Sequence, residues 1–504
     1  MNGDGAARIT LRAAIGSFIF HGESTPALSC VEIEAAPGRL TAVLGGSGSG
    51  KSTLGRLLAA WLAGGRDGVL RGTLHLDAGG DPEDGSLVFS GTDDDPRIDP
   101  AAWADHVGYV PQDALAMLSG VRGTVEEELA FGLENRGAER AEMVRIVAET
   151  ARRTGLTGLL ERDPATLSGG ELRRLAVGCA IIDDPGVLIL DEPLASLDAA
   201  GARTVMELIS DLLDRGVAVV VLSQQVDQLT RLASHWLVLK DGGVMAAGRP
   251  GQLLGGDLLA GSGVVVGGAQ GPRPVPATSA PTAAAPALEL DGVSFGFESS
   301  GPRSSRLLQN VDFSVVPGEV VAVTGPNGAG KSTLLRLFNG LLRPLDGEVR
   351  VGGVGIAGVP TGIVAERLGL LFQHPHDQLF ERTAQREVLF GLDRLFGVDA
   401  PMKAAAALAS VGLDGAEDVH PHELPGSGQR LLALATVLAR EPAVLALDEP
   451  TVALDAHGFE RLTAAVSAAA GRGAAVVIVT HDLAFAQAHA HRTMELKDGV
   501  LVGC

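Results

Sequence analysis

Short apolar runs alternate with longer stretches of helical periodicity along most of the chain. The runs at 39–44, 187–190 and 217–222 read R-L-T-A-V-L, V-L-I-L and V-A-V-V-V-L, and glycine or charged residues bound them. Runs of this length without polar alternation are typical of strands that are buried on both faces. The segments after Lys51 and Ser168 carry apolar residues at helical spacing. The pattern therefore predicts an α/β fold with mainly parallel sheets.

The same motifs occur twice. G-G-S-G-S-G-K-S-T-L at 45–54 returns as G-P-N-G-A-G-K-S-T-L at 325–334. V-L-I-L-D-E-P-L-A-S-L-D at 187–198 returns as V-L-A-L-D-E-P-T-V-A-L-D at 444–455. Two motifs repeated in the same order indicate an internal duplication, and hence two domains of the same kind.

The first copy is longer between these motifs. Lys51 and Lys331 are 280 positions apart, whereas Asp191 and Asp448 are 257 apart, so the first copy holds 23 more residues. We place them within 77–99, which contains eight acidic residues, one arginine and several glycine and proline residues. This composition is typical of a solvated surface loop and indicates no function.

Residues 262–287 separate the two copies. Alanine, proline and glycine dominate this segment, and it shows no apolar period. Because proline favours extended backbone, we expect a linker of moderate stiffness, long enough to let the two copies face each other. The expected organisation is a first domain at 1–261, the linker at 262–287 and a second domain at 288–504.

The first repeated motif, G-x-x-x-x-G-K-S, follows an apolar strand and opens a helix in both copies. Its glycines allow backbone N–H groups to converge on phosphate oxygens, and the helix start adds a favourable dipole. The lysine supplies a cation for the β- and γ-phosphates, and the next serine offers a hydroxyl to Mg²⁺. The residues predicted to bind ATP here are Gly45, Gly46, Ser47, Gly48, Ser49, Gly50, Lys51, Ser52 and Thr53, and Gly325, Pro326, Asn327, Gly328, Ala329, Gly330, Lys331, Ser332 and Thr333.

The second repeated motif is an apolar strand that ends in Asp-Glu. Asp191 and Asp448 are predicted to reach Mg²⁺ through water. Glu192 and Glu449, one residue further on, are predicted to polarise the water that attacks the γ-phosphate. A carboxylate pair at the end of a strand can be no more than a helix cap. Its pairing with a phosphate loop favours catalysis.

These ordered motifs resemble those of ATP-binding cassette (ABC) ATPases over almost the whole of both copies. L-S-G-G-E at 167–171 is similar to the family signature, and S-L-D and A-L-D, with Asp198 and Asp455, match the loop after the acidic pair. T-H-D at 480–482 matches the switch histidine, which here is His481. The resemblance implies tandem P-loop ATPase domains, each with a helical subdomain that carries the signature, and it implies ATP and Mg²⁺ as cofactors.

The resemblance also implies a glutamine between the phosphate loop and the signature. Gln112 in Y-V-P-Q-D and Gln373 in L-L-F-Q-H fit this position and would contact the metal or its water. Phe20 and Phe297 lie where the family stacks an aromatic ring on adenine. The alternative for both rings is an ordinary place in the core.

In this family two cassettes pair head to tail, and each ATP lies between the phosphate loop of one and the signature of the other. The signature offers a serine hydroxyl and backbone N–H groups from a helix start. An ungapped alignment gives L-P-G-S-G at 424–428, so Pro425 replaces the serine and Ser427 replaces a glycine. Both changes weaken phosphate contact. The signature residues expected at ATP are Ser168, Gly169 and Gly170 in the first copy and Gly426 and Ser427 in the second.

The other departure lies in the first copy, where Gln224 occupies the position of His481. An amide can hydrogen-bond a phosphate but cannot become cationic. The site built on Lys51 and Glu192 therefore contains Gln224 and must borrow the altered signature. We hypothesise that this first site binds ATP and turns over slowly, while the site with Glu449 does most of the hydrolysis. The alternative is that both sites work.

Charge and composition exclude several classes of function. The chain has 61 acidic and 40 basic residues, a net charge of −21, which disfavours general nucleic-acid binding. Its sequence shows no apolar run long enough to span a membrane and no signal peptide at its start. Cys30, Cys179 and Cys504 are too few and too far apart for a disulfide framework or a metal site.

The segments 124–137 and 373–391 resemble the part of energy-coupling-factor (ECF) importer ATPases that follows the glutamine. The resemblance implies import of a vitamin or a transition-metal ion. The partners would be integral membrane subunits, namely a transmembrane coupling protein and a substrate-binding component. The acidic surface around Asp377 and Glu126–Glu128 would dock on these subunits, at the cytoplasmic face of the cell membrane.

Other functions stay open. Within transport, the chain could be the fused ATPase of another importer or of an exporter. Soluble twin-cassette translation factors also have paired cassettes, but they carry a long charged helical linker and basic surfaces. A short Pro/Ala-rich linker and the net charge of −21 disfavour that reading. A regulatory nucleotide switch is a third alternative, which Glu449 and the complete hydrolytic set disfavour.

Overall fold

The computed structural model describes residues 9–62, 67–77, 86–90, 99–195, 197–255, 257–266, 285–297 and 306–503. The chain divides between Gly267 and Gly268 into two compact units. Parts of the acidic insert, most of the predicted linker and Cys504 lie outside the described residues.

The first unit combines a mainly parallel core sheet with an antiparallel sheet. Its described strands are β1 (Thr10–Phe20), β2 (Leu28–Ala35), β3 (Leu40–Gly45), β4 (Gly68–Asp77), β5 (Ser86–Ser90), β6 (Val107–Val110), β7 (Val187–Asp191), β8 (Ala218–Ser223), β9 (Gln225–Val226), β10 (His235–Lys240), β11 (Gly243–Gly248) and β12 (Val265–Val266). The core sheet has the order β11-β10-β3-β8-β7-β6, and β10 and β11 form its antiparallel edge. The three predicted buried runs are β3, β7 and β8, and all of their residues are buried, which confirms that prediction.

The helices of the first unit fall into two groups. They are α1 (Lys51–Leu58), α2 (Pro100–Ala104), α3 (Val125–Asn135), α4 (Arg140–Arg153), α5 (Gly169–Ile181), α6 (Ala199–Asp214), α7 (Gln228–Arg231) and α8 (Pro250–Leu253), with 3-10 turns at Ala114–Met117, Thr157–Leu159, Pro164–Thr166 and Asp257–Leu259. α1 and α6 pack on the core sheet. α3, α4 and α5 enclose their own apolar cluster around Leu129, Val147 and Leu175, which makes them a helical subdomain.

The second unit repeats this architecture. Its described strands are β13 (Leu288–Phe295), β14 (Leu308–Val315), β15 (Val320–Thr324), β16 (Asp346–Val351), β17 (Val354–Gly355), β18 (Leu368–Leu371), β19 (Val444–Asp448), β20 (Ala475–Val479), β21 (Arg492–Lys497) and β22 (Val500–Gly503). Its core sheet has the order β18-β19-β20-β15-β21-β22, with the same antiparallel edge. The fold is thus α/β with a mainly parallel core in both units, as predicted.

The helices of the second unit follow the same plan. They are α9 (Lys331–Phe338), α10 (Thr361–Val364), α11 (Ala384–Leu389), α12 (Leu392–Phe396), α13 (Ala400–Ser410), α14 (Gly426–Leu438), α15 (Ala456–Gly471) and α16 (Leu483–His489), with 3-10 turns at Pro375–Asp377, Gly397–Asp399 and Pro421–Glu423. α11, α13 and α14 contact one another and form the second helical subdomain.

Two segments differ from the sequence prediction. The insert at 77–99 is not a loop throughout, because β5 pairs with β4 and extends the antiparallel sheet β2-β1-β4-β5. The acidic composition of the whole insert concealed the short run S-L-V-F-S, whose residues favour a strand. Within the predicted linker, residues 262–266 belong to the first unit, since Ser262 is buried and β12 pairs with β9.

Candidate ATP sites

The first phosphate loop connects β3 to α1. Gly50, which precedes α1, has φ +96°, and a Cβ there would lie 2.7 Å from the side chain of Leu28, so only glycine fits. Lys51 is buried, and its Nζ donates hydrogen bonds to the carbonyls of Gly45 and Gly46, both at 2.8 Å. The carbonyls of the loop therefore surround the ammonium group of Lys51, the predicted phosphate-binding cation.

The second phosphate loop has the same construction between β15 and α9. Gly330 has φ +99°, and Lys331 Nζ donates to the carbonyls of Gly325 at 2.8 Å and Pro326 at 3.1 Å. Backbone N–H groups at the start of a helix together with a buried ammonium group are suited to phosphate oxygens. Both loops are thus arranged as the predicted ATP contacts require.

The predicted metal ligands meet beside each lysine. Asp191 ends β7 and accepts a hydrogen bond from the Ser52 hydroxyl, and Asp448 ends β19 and accepts one from Ser332. Burial raises the pKa of both aspartates, to about 6 for Asp448, although the serine hydrogen bonds oppose the shift. Asp448 Oδ1 is buried without a hydrogen-bond partner. A hydroxyl and an unpaired carboxylate oxygen are ligands that fit Mg²⁺.

The glutamates that follow Asp191 and Asp448 have a strained backbone conformation. Glu192 has φ +51° and Glu449 has φ +46°, values that residues other than glycine seldom adopt. Both side chains are buried. Burial raises the pKa of Glu192 to about 7, with Lys51 opposing the shift and the charge of Asp191 adding to it. Each carboxylate thus lies beside its phosphate loop, at the end of a central strand.

The switch residues meet these glutamates differently. His481 Nδ1 lies 2.9 Å from Glu449 Oε2, and its backbone N–H donates to the same oxygen at 3.3 Å. Burial lowers the pKa of His481, but the hydrogen bond and charge of Glu449 outweigh burial and raise it overall. Gln224 donates to Glu192 Oε1 at 2.7 Å through its backbone N–H alone, and Gln224 Oε1 is buried without a partner. Among the described residues, the glutamate of the second unit is hydrogen-bonded to a titratable side chain and that of the first unit is not.

The first signature begins α5 with a capping box. The Ser168 hydroxyl and N–H both donate to Glu171 Oε2, at 2.9 and 2.8 Å, and Glu171 N–H returns a bond to the Ser168 oxygen. Gly169 is exposed and Gly170 half-buried at the first turn. The start of this helix is therefore well formed and accessible.

The second signature begins α14 at the equivalent position but without a side-chain cap, because Pro425 occupies the cap. Gly426 is exposed, whereas Ser427 is buried and its hydroxyl donates to Asp455 Oδ1 at 3.4 Å. A Cβ at Gly458 would come within 2.4 Å of the Ser427 oxygen, so the glycine makes room for it. The Ser427 side chain therefore points into its own unit, and the prediction that it contacts ATP is not supported by its orientation.

The remaining predicted residues lie around these loops. Gln112 and Gln373 are half-buried in the segments after β6 and β18. Phe297 exposes more than half of its surface and packs edge-to-face on buried Phe295. Phe20 is half-buried against the core. The exposed ring of Phe297 has the surface needed for stacking on a base.

Comparison with known proteins identifies this arrangement. A family model described as ABC transporter matches residues 28–195 and 308–452. The chain is an ABC transporter ATPase. Members of this family bind and hydrolyse ATP for transport.

Relatives of this ABC ATPase cover its full length or one unit. A provisionally named ABC transporter ATP-binding protein of Methanosarcina acetivorans is 32% identical, covering 96% of this chain and 88% of the relative. The ATP-binding cassette MJ0796, solved as a dimer in a post-hydrolysis state with ADP and Pi, is 28% identical with a TM-score of 0.40, and covers 42% of this chain and 96% of its own. CbiO1 from Clostridium perfringens, part of the ABC transporter complex cbiONQ, is 27% identical with a TM-score of 0.39, and covers 43% of this chain and 87% of its own.

Sequence reasoning missed two buried arginines in this ABC ATPase. Arg173 on α5 donates to the carbonyls of Asp191 at 3.2 Å and Gln112 at 2.8 Å. Arg430 on α14 donates to the carbonyls of Glu449 at 3.0 Å and Gln373 at 2.6 Å. Each guanidinium therefore connects the signature helix to two other places. One is the segment that contains Gln112 or Gln373, and the other is the end of the strand that carries the Asp-Glu pair. The signal was present, because both arginines lie at the fifth position after the signature serine or its proline replacement.

The proposed acidic docking surface of the ABC ATPase is smaller than predicted. Glu126, Glu127 and Asp377 are exposed, but Glu128 is only 4% exposed. Its carboxylate accepts hydrogen bonds from the N–H and hydroxyl of Ser119, which fixes the preceding loop. Helical spacing places Glu128 on the buried face of α3. Among the described residues no helix combines the length and hydropathy needed to cross a bilayer.

Proposed function

We propose that this ABC ATPase energises an ECF-type importer of a vitamin or transition-metal ion, and that its two ATP sites differ in activity. The units pair head to tail, so each ATP lies between the phosphate loop of one unit and the signature of the other. The first site then combines Gln224 with the Pro425 signature, and the second combines His481 with Ser168. In this proposal the second domain keeps its predicted limits, 288–504, and the first domain ends at residue 266 rather than 261.

The contact between His481 and Glu449 is the observation that carries the inequality. Glu449 holds the attacking water by its carboxylate, and His481 fixes that carboxylate and offers its other ring nitrogen toward phosphate. Lys331 holds the phosphate oxygens. Ser332 and Asp448, with Gln373 nearby, would hold Mg²⁺, which would neutralise phosphate charge when bound.

The first site lacks a histidine contact to its glutamate. Glu192 receives only a backbone N–H from Gln224, whose amide cannot become cationic. Ser52, Asp191 and Gln112 supply the same kinds of metal ligand as in the second unit. We infer that this site binds ATP with Mg²⁺ and hydrolyses it slowly.

Separate replacement of the two glutamates in the full chain tests the inequality. We expect Glu449→Gln to lower steady-state turnover of ATP with Mg²⁺ roughly 100-fold or more, the usual contribution of a general base. We expect Glu192→Gln to lower it less than about threefold. Each variant is also tested for ATP binding, because a loss of binding would account for a low rate. Equal losses of turnover would contradict the proposal.

The importer assignment is supported by the segments after the glutamines and by the surface that they present. In the second unit Phe380 is 63% exposed and Phe390 54% exposed, with their rings edge-to-face at 4.9 Å. Exposed Asp377 lies three positions before Phe380. An aromatic pair next to an acidic group suits a membrane subunit's amphipathic helix that carries a basic residue.

Purification of the tagged full chain from membranes of its own organism tests this assignment. We expect the chain to bind at the cytoplasmic face and to be recovered together with a transmembrane coupling protein and a small substrate-binding membrane protein. Recovery with membrane subunits of another importer or of an exporter would replace the ECF assignment. Recovery with ribosomes would favour the translation-factor alternative. Phe390→Asp should reduce recovery of the membrane proteins, and Phe131→Asp, at the position of the first unit that aligns with Phe390, is the comparison.

A further inference from the structure

The segment Asp257–Val266, which we name the strap, ends the first unit before the linker. Leu259 and Val264 are buried in the core cluster beneath the parallel sheet. The hydroxyl of buried Ser262 donates to the Leu259 carbonyl at 2.7 Å and accepts from Val264 N–H at 3.1 Å. The strap therefore follows a defined path over the first unit.

The strap contacts two loops of the first ATP site. Gly46 N–H in the phosphate loop donates to the Ser262 carbonyl at 3.0 Å. Val265 N–H donates to the Gln224 carbonyl at 2.8 Å, and β12 continues as a parallel partner of β9 directly after the switch residue. One short segment thus joins the phosphate loop to the switch loop.

The described part of the second unit lacks counterparts of these two bonds. Pro326 occupies the position of Gly46, and proline has no N–H to donate. In the part of the second unit that the structure describes, the last strand is β22, which corresponds to β11, and no described segment bridges the two loops. The donor that Gly46 offers to the strap therefore has no counterpart in the second phosphate loop.

We propose that the strap is a positioning element of the first ATP site, which restrains its phosphate and switch loops and slows the release of nucleotide. The inference rests on the proposed function only in that the first site binds ATP. Opening of the phosphate loop away from the switch loop must break at least one of the two strap bonds. The strap also continues directly into the linker, so it ties this site to the chain that leads to the second unit.

Nucleotide dissociation from one site at a time tests the strap. The full chain carries Lys331→Ala to leave the first site as the main binding site, or Lys51→Ala to leave the second. A fluorescent ATP analogue is bound with Mg²⁺ and chased with excess ATP. Gly46→Pro copies the residue of the second unit and removes one donor, and Val265→Pro removes the other.

We expect either variant to speed dissociation from the first site roughly three- to tenfold, the factor that corresponds to loss of one backbone hydrogen bond. Val265→Pro should leave dissociation from the second site unchanged. Leu258→Ala is the matched control, because Leu258 is an exposed strap residue. Thermal melting shows whether each variant folds. If either Gly46→Pro or Val265→Pro does not fold, the other variant still tests the proposal.

Dissociation rates within twofold of the parent in both folded variants would overturn the proposal. An equal increase at the second site for Val265→Pro would also overturn it, because that result indicates general loosening. The measurement needs no hydrolysis, so it is independent of the turnover test on Glu449 and Glu192. Failure of analogue binding in the Lys331→Ala chain would instead contradict the proposal that the first site binds ATP.

Discussion

The two units share their fold and phosphate loops but differ in the residues that surround the catalytic glutamates. Lys51 and Lys331 donate to carbonyls at corresponding positions of their own loops. Gln224 and His481 are not equivalent in chemistry, and only the histidine side chain bonds its glutamate. The comparison shows that the duplicated fold preserves the geometry of both phosphate loops, while the residues that contact the two glutamates diverge.

A second difference lies beneath the metal ligands. In the first unit Tyr109 on β6 fills space that Gly55 leaves open, since a Cβ at Gly55 would lie 3.2 Å from its ring. In the second unit Leu370 and Leu335 occupy these positions. Burial, followed by the charge of Asp191, raises the pKa of Tyr109. A phenol therefore replaces an aliphatic side chain beside the first site.

The largest expected effect comes from making the second site resemble the first. We expect His481→Gln to lower turnover roughly 100-fold, because one preorganised contact to a reacting group commonly contributes that factor. The measurement is steady-state hydrolysis at saturating ATP and Mg²⁺. Gln224→Ala, the matched change in the first unit, should alter the rate less than about threefold. Similar losses in both variants would mean that the two sites contribute equally.

The pKa of Glu192 gives the first site its own pH dependence. Its carboxyl has a pKa of about 7, so it is mostly ionised at pH 8 and mostly protonated at pH 6. A protonated carboxyl cannot accept a proton from water. In the Glu449→Gln chain, where the first site supplies the remaining hydrolysis, the rate should fall roughly tenfold from pH 8 to pH 6. A rate that is constant over this range would contradict this role of Glu192.

Replacing the guanidinium group of Arg430 should slow hydrolysis at the second site without weakening ATP binding. Arg430→Lys keeps the charge but cannot donate to both carbonyls, and we expect a roughly tenfold lower kcat with KM within about twofold. Arg440→Lys is the matched control, since Arg440 donates to the carbonyl of Phe390 near the far end of the same helix. Equal effects of the two substitutions would indicate a general role in stability.

Repair of the second signature should raise activity at the first site by a smaller factor. Pro425→Ser with Ser427→Gly recreates the serine cap and the glycine of the first signature. In the Glu449→Gln background we expect turnover to increase about two- to fivefold, which corresponds to recovery of one capping interaction. An unchanged rate would indicate that Gln224, rather than the signature, limits this site.

The smallest expected effect concerns Tyr109. Its hydroxyl is buried without a hydrogen-bond partner of standard geometry. Tyr109→Phe removes this group and retains the ring, so the free energy of unfolding should rise by about 1 kcal/mol. Urea unfolding measures the change, and Leu370→Phe, which adds a ring where Leu335 leaves less space, should be destabilising. A large loss of stability in Tyr109→Phe would show that the hydroxyl makes a bond to Asp191 or Arg56.

Much of this protein was predictable from local sequence. The duplication, the α/β fold and the buried strands follow from motif order and apolar runs, because a strand that is buried on both faces must be apolar at every position. The roles proposed for Lys51, Asp191 and Glu192 follow from the residue types and spacing of contiguous motifs. The position of Pro425 at a helix start also follows from an ungapped alignment.

Other features were decided by tertiary structure alone. Whether Glu128 faces solvent depends on which face of α3 packs in the helical subdomain, and the orientation of Ser427 depends on the space above Gly458. The repeated position of Arg173 and Arg430 is visible in the sequence, but the partner of Arg173 is not, because it bonds to the carbonyl of Asp191 rather than to its side chain. The strap meets Gly46 across more than two hundred positions of sequence. Contacts through backbone groups at long range leave little trace in residue type, because every residue except proline carries the same N–H donor and carbonyl acceptor.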